Sequence, residues 1–270
     1  MLDPLLLAIV RIGTFSGKRA LTAASGFFFR RDEQLYLVTS RHVFIDEDTD
    51  HHPDRVEIEL HADAQNLANS ICLSALLYRN GRANWRQGRD DSGGIDVAVL
   101  EIDTSALSDS VELAAFTMEN LPTANDHVLL GQPVLIAGFP LGFHDDLHHL
   151  PVVRQGAVAS PYGWRFQGRG WFLTDARTHR GISGAPVIMR APDRGPLPWL
   201  LVGIHSTRFD IGNRDLEADE SLGLNAAWYP DIVATLTDPA RASEPADPLP
   251  APAVPATADT VPTAKAVSAS

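Results

Sequence analysis

Short runs rich in Val, Ile, Leu and Phe, separated by clusters of Gly, Asp, Asn and Pro, do most to limit what this 270-residue chain can fold into. Runs of this length bounded by turn residues are the pattern of an all-β barrel or sandwich. Candidate strands fall at 6–12, 26–29, 36–39, 56–60, 70–77 and 97–102, then at 134–138, 151–160, 171–174, 185–189, 199–205 and 223–226, with a polar connection over 117–127 between the two sets. Residues 229–236 read as a closing helix, with Pro230 in its first turn and apolar residues at helical spacing. From Thr237 the composition shifts to Pro, Ala, Ser and Thr without apolar period. Such a segment buries too little surface to offset the entropy of ordering, so 237–270 is expected to be a disordered tail, with a tether for an unknown partner as the rival reading.

Composition narrows the function classes. With 44% hydrophobic and 21% charged residues the chain is ordinary globular material, long enough for a substantial core. A formal net charge of -12 argues against nucleic-acid or anionic-membrane partners, whose phosphates would repel it. The single cysteine, Cys72, excludes an intramolecular disulfide framework. Met1-Leu2-Asp3-Pro4 lacks a basic n-region, and the apolar stretch from Leu5 to Val10 ends at Arg11. No stretch approaches the roughly 20 apolar residues of a membrane span. The expectation is a cytoplasmic protein.

The run Gly181-Ile182-Ser183-Gly184-Ala185-Pro186 places a serine between glycines on a tight turn. A serine hydroxyl is barely acidic near neutral pH, so it needs a base to accept its proton as the oxygen attacks. His42, where the apolar strand Tyr36-Leu37-Val38-Thr39 runs into a short polar break, suits that role, because imidazole titrates near neutrality. Asp96, opening the alternating strand Asp96-Val97-Ala98-Val99-Leu100, suits the acid that fixes the imidazole tautomer. Glycine at 181 lets the N–H groups of Gly181 and Ser183 point at one spot, where an oxyanion would be stabilised. An α/β-hydrolase would require Gly-x-Ser-x-Gly with its acid and histidine following. Ala185 stands at the second glycine, and no acidic residue separates Ser183 from His205.

In this His, Asp, Ser order the chain resembles the trypsin-like (chymotrypsin-fold) serine peptidases, particularly the bacterial branch with HtrA-type and glutamyl endopeptidases. The resemblance rests on Leu37-Val38-Thr39-Ser40-Arg41-His42-Val43, Asp96-Val97-Ala98-Val99-Leu100 and Thr174-Asp175-Ala176 through Gly181-Ile182-Ser183-Gly184-Ala185-Pro186-Val187. Gly138-Phe139-Pro140-Leu141-Gly142, Leu201-Val202-Gly203-Ile204-His205-Ser206 and Gly223-Leu224-Asn225 echo it more faintly. It covers about residues 1–236. It implies two six-stranded antiparallel β-barrels, about 1–116 and about 128–228, a helix at about 229–236, an active site in the cleft between the barrels, and a polypeptide substrate. Catalysis would fall to His42, Asp96 and Ser183, with Gly181 and Ser183 supplying the oxyanion hole. Ser206 would hydrogen-bond Asp96, and the backbone of Ser206, Thr207 and Arg208 would pair with an extended substrate.

The chain departs from the family in places. Digestive relatives carry an aspartate before the nucleophile that pairs with a freshly cut N-terminus. Ile182 stands there, so activity without N-terminal trimming is expected. Arg41 precedes the histidine where relatives have a small residue. Arg177, Thr178 and His205 lie where the pocket for the cleaved residue is built. Thr178 and His205 match residues that glutamyl endopeptidases use, which implies cleavage after Glu or Asp. A bland reading makes His205 simply a core histidine.

His144-Asp145-Asp146-Leu147-His148-His149 matches no ligand signature and reads as a solvated loop, and Gly138 to Gly142 lacks the Lys-Ser/Thr of a phosphate loop, so no metal or cofactor is expected. A second function class stays open: a peptide-binding or regulatory module that keeps the fold with decayed chemistry.

Overall fold

A computed structural model describes residues 2–63, 65–108, 110–210 and 221–240. After one helical turn, α1 (Leu5–Ala8), the chain forms β1 (Ile9–Ser16), β2 (Arg19–Arg31) and β3 (Gln34–Thr39), the one-turn α2 (Arg41–Phe44), then β4 (Arg55–His61) and β5 (Ser70–Leu76). A two-stranded ribbon, β6 (Tyr78–Arg79) with β7 (Arg82–Ala83), leads to β8 (Trp85–Asp90) and β9 (Gly93–Ile102). The second half holds β10 (Pro133–Gly138), β11 (Val152–Ala157), β12 (Trp171–Thr174), β13 (Pro186–Arg190), β14 (Trp199–Asp210) and β15 (Ser221–Trp228), closed by α3 (Asp231–Leu236). The first sheet runs β5-β4-β1-β2-β3-β9-β8 and the second β11-β10-β13-β14-β15-β12. The pairings within both are antiparallel.

Strand alternation explains why the central strands read as unbroken apolar runs. Side chains change face at every residue. On β2, Phe28 turns into the core of the first sheet with Val10, Ile12, Leu37 and Leu100. Its neighbours Phe27 and Phe29 face the other way, into a cluster shared with Ala137, Phe139, Ile188, Leu201 and Trp228 of the second sheet. A third cluster, with Val134, Ile136, Phe172, Val187 and Val202, fills the second sheet. Strands buried on both faces therefore carry no polar alternation. Each fully buried Phe contributes roughly 1.5–3 kcal/mol of transfer free energy. The shared cluster also takes Ile232, Val233 and Leu236 of α3, so the helix locks the two halves together.

Two expectations change in detail. The first sheet pairs seven strands where six are expected, because β8 (Trp-Arg-Gln-Gly-Arg-Asp) carries no apolar period. It is an edge strand, charged as edges commonly are, and owes its conformation to pairing with β9. The strand expected at 6–12 is split, its first residues forming α1. Of the expected tail, 241–270 lies outside the described residues, whereas Thr237 is buried with its hydroxyl donating to the Val233 carbonyl at 2.8 Å. Among the described residues no helix is long and apolar enough to cross a membrane.

Candidate active site

β3 delivers its chain to the one-turn α2, which carries His42, and the neighbouring strand β9 carries Asp96. The carboxylate takes three donors. The His42 backbone N–H donates to Oδ1 at 2.9 Å, the ring Nδ1 meets Oδ2 at 2.8 Å, and the Ser206 hydroxyl donates to Oδ2 at 2.5 Å. A carboxylate only accepts, so Nδ1 carries the proton and Nε2 keeps its lone pair. Burial opposes a charged His42, but the hydrogen bond and charge of Asp96, helped by Asp46, outweigh it and hold the imidazole pKa above its ordinary value. Burial likewise opposes the Asp96 charge, and the bonds from His42 and Ser206 outweigh it, keeping the carboxyl below its usual range. Each group stabilises the charged form of the other.

Arg41 is clamped. Its Nε donates to Gln87 Oε1 of β8 at 2.5 Å, and its terminal nitrogens reach Glu47 at 2.8 and 3.2 Å. A small residue at this position could not tie α2 to both β8 and the following loop.

Ser183 stands on a turn whose shape needs glycine. Gly181 has φ +89° and Gly184 φ +84°, and a Cβ on Gly184 would lie 2.2 Å from Thr39 Oγ1 and 2.4 Å from the Ser25 carbonyl. The turn is fastened to the first sheet by the Ser25 N–H, which donates to the Ser183 carbonyl at 3.1 Å. The Ser25 hydroxyl donates to the Gly181 carbonyl at 2.8 Å and accepts from the Phe139 N–H at 2.9 Å. Ile182, the residue found in place of the family aspartate, is buried in the third cluster, which also holds Ala176 and Ala185. The backbone N–H groups of Gly181 and Ser183 donate to no acceptor among the described residues. The Ser183 hydroxyl donates to the Ser206 carbonyl at 3.2 Å.

A cavity of about 500 Å³ brings His42, Asp96 and Ser183 together with His205, Ser206, Thr207 and Arg208. Burial, and then the nearby His42 charge, push the His205 pKa down to about 3, so its ring is neutral, and its Nδ1 is buried without a partner. Three of the sequence candidates stay outside this cavity, and Gly181, which lines only the neighbouring one, is the first of them. Arg177 is exposed, and Thr178 is buried with its hydroxyl donating to Asn225 Oδ1. Sequence reasoning missed Asp46, Arg169, Trp171, His179, Arg180 and Trp228 in the lining, and it missed Ser25. No local motif marks these residues; they meet only when the barrels dock. A second cavity of about 730 Å³ shares His42, Asp46, Arg180 and Ser183 and is walled by Arg19 and Leu21 to Ala24 of β2. The loop after β10 supports the turn from below, since the Leu141 N–H donates to the Arg180 carbonyl at 2.6 Å. In the same region His148 pairs with Asp145 at 2.7 Å and His149 with Glu59 at 3.1 Å.

Residues 24–192, more than half of the chain, match the family described as a trypsin-like peptidase domain. A search of curated proteins finds no matching sequence. Among solved structures, the crystal structure of the serine endoprotease from Yersinia pestis is similar, with a TM-score of 0.52 and 20% identity. The match covers 85% of this chain and 61% of that one, so the chain spans less than two thirds of that protein's length. At this identity the likeness carries the fold: two antiparallel barrels and a short C-terminal helix.

Proposed function

Because the chain belongs to the trypsin-like peptidase family, we propose that it is a serine endopeptidase, working through an acyl-enzyme with Ser183 as nucleophile, His42 as base and Asp96 as its orienting acid. One observation carries this reading: the Asp96 carboxylate holds His42 by both its ring and its backbone, inside the cavity where Ser183 stands. The Ser183 hydroxyl leaves the Ser206 carbonyl, passes its proton to His42 Nε2, and attacks the scissile carbonyl carbon. The oxyanion so formed accepts hydrogen bonds from the Gly181 and Ser183 N–H groups, which have no other acceptor among the described residues. His42 returns the proton to the leaving amine as the C–N bond breaks. Water, deprotonated by His42, then cleaves the ester and restores Ser183. The imidazolium formed in both steps is stabilised by Asp96.

The cleaved residue is proposed to be acidic. His205 supports this, since it lines the cavity beside Ser183 and its buried Nδ1 has no partner. A neutral imidazole can still donate one hydrogen bond to a carboxylate. The substrate chain would add to Ser206–Arg208 as an extended strand.

A decayed binding module is the second reading, favoured by the Ser183 hydroxyl resting on the Ser206 carbonyl. A fluorophosphonate probe separates the two. Labelling of the native protein and not of Ser183→Ala is expected; a native protein that stays unlabelled removes the peptidase reading. A peptide library read at the cleaved bond tests the preference, and selection of Leu or Arg there would overturn it.

A further inference from the structure

The cavity beside Ser183 differs in charge from the chain as a whole. The protein carries a formal -12, yet Arg169, Arg180 and Arg208 line this one cavity. Among the described residues two carboxylates line it, and Asp96 is already engaged by His42 and Ser206, which leaves Asp46. The second cavity is mixed, with Arg19 and Arg180 set against Asp46 and Asp50. The bias therefore belongs to one side of the nucleophile, the side bounded by Ser206–Arg208.

Two of these arginines are placed to read a substrate. Arg208 lies two residues beyond Ser206 on β14, in register with Asn225 of β15. Arg169 is exposed, with its guanidinium 5.4 Å from the centre of the Trp171 ring. Trp171 is itself fixed edge-on against Trp228, with ring centres 5.2 Å apart. An arginine laid on an anchored aromatic ring loses little further freedom on meeting a carboxylate, and its planar fork matches that group in two places. A cleft focuses the field of the charges that line it, while the acidic remainder of the surface repels an acidic chain.

We propose that Arg169 and Arg208 select polypeptide segments bearing Asp or Glu among the residues just before the cleaved one, which makes acidic segments the substrate class of this cleft. The inference takes from the peptidase reading only the direction in which a substrate lies. Its test measures binding and needs no turnover, so the two readings fail separately. Ser183→Ala protein is titrated with fluorescent peptides that share one cleaved residue and one leaving side, and differ only in Glu or Gln at the second to fourth positions before the bond.

Exposed arginine–carboxylate pairs are individually worth about two- to fivefold, so the Glu peptide is expected to bind about tenfold tighter at low salt. The advantage should shrink to about twofold or less at 0.5 M NaCl. Adding Arg169→Gln and Arg208→Gln should bring the two peptides together at low salt. Thermal unfolding of each variant checks that the fold persists. Equal binding of Glu and Gln peptides overturns the proposal, as does a Glu preference that survives both arginine replacements.

Discussion

The two halves of the site are built in opposite ways. His42 sits on α2, directly after β3, and Asp96 on β9, the strand paired with β3, and three hydrogen bonds of 2.5 to 2.9 Å converge on the carboxylate. Ser183 sits on a turn that needs two left-handed glycines and is held from outside by Ser25 of the other sheet. The acid–base pair is thus local to its barrel, apart from the hydroxyl of Ser206. The nucleophile and its oxyanion donors depend on barrel docking. Local construction tolerates a shift between the barrels, and docked construction does not.

The largest effect is expected inside the local half. Asp96→Asn keeps the size but replaces one acceptor oxygen by a donor, which favours the wrong imidazole tautomer. Comparable triads lose about 10⁴ in kcat. Turnover of a cleavable peptide measures it, and a loss under tenfold would mean that Asp96 does not orient the base.

Gly184→Ala attacks the docked half. The new methyl would meet Thr39 and the Ser25 carbonyl at 2.2 and 2.4 Å, on a backbone with φ +84°. Clash and strain together should cost about 3 kcal/mol of stability and displace Ser183. Gly131→Ala is the control, with φ +78° but nothing within 4 Å of the added carbon. It should cost only about 1 kcal/mol, by strain alone. Chemical denaturation of both separates clash from strain, and equal costs would remove the docking argument.

How much was legible beforehand follows the same division. His42, Asp96 and Ser183 each sit in a local context that states its own chemistry, a polar break after a strand, an alternating strand or a glycine turn, and the structure brings all three to one cavity. The central strands were legible because burial on both faces leaves continuous apolar runs. Strand β8 was not, since only its pairing with β9 makes Arg86 and Gln87 part of a sheet. The specificity wall was illegible for a related reason. Arg177 and Thr178 stand beside the nucleophile in sequence but outside its cavity, whereas Arg169 and Trp171 enter from β12 and the residues before it. Ser25 is the plainest case, an ordinary serine on a strand until docking puts Gly181 on one side of its hydroxyl and Phe139 on the other.

Ser25→Ala therefore sharpens the comparison more gently than Gly184→Ala. It removes both bonds of that hydroxyl and leaves the buried Phe139 N–H unsatisfied, a cost of about 1–3 kcal/mol. The Gly181 N–H loses part of its orientation, so kcat should fall about tenfold. The pH at which activity is half lost on the acid side should not move, because His42 and Asp96 are untouched. A moved acid limb would mean that the halves are coupled more tightly than their hydrogen bonds suggest.

The smallest effect is on that limb itself. The reaction needs neutral His42, so activity is lost as pH falls through the imidazole pKa, which stands above the ordinary His value. The Arg41 cation lowers that pKa and the Asp46 carboxylate raises it. Arg41→Ala should therefore move the acid limb of kcat/KM to higher pH, and Asp46→Asn should move it lower. Arg41→Lys keeps the charge but loses the fork that ties α2 to Glu47 and Gln87. It should leave the limb in place while kcat declines about two- to threefold, the scale of a partly exposed ion pair. A pH profile of the three variants reads all of this at once. If Arg41→Ala and Arg41→Lys shift the limb alike, the clamp matters through geometry and the charge beside His42 is immaterial; if neither changes kcat, the fastening of α2 rests on Asp96 alone.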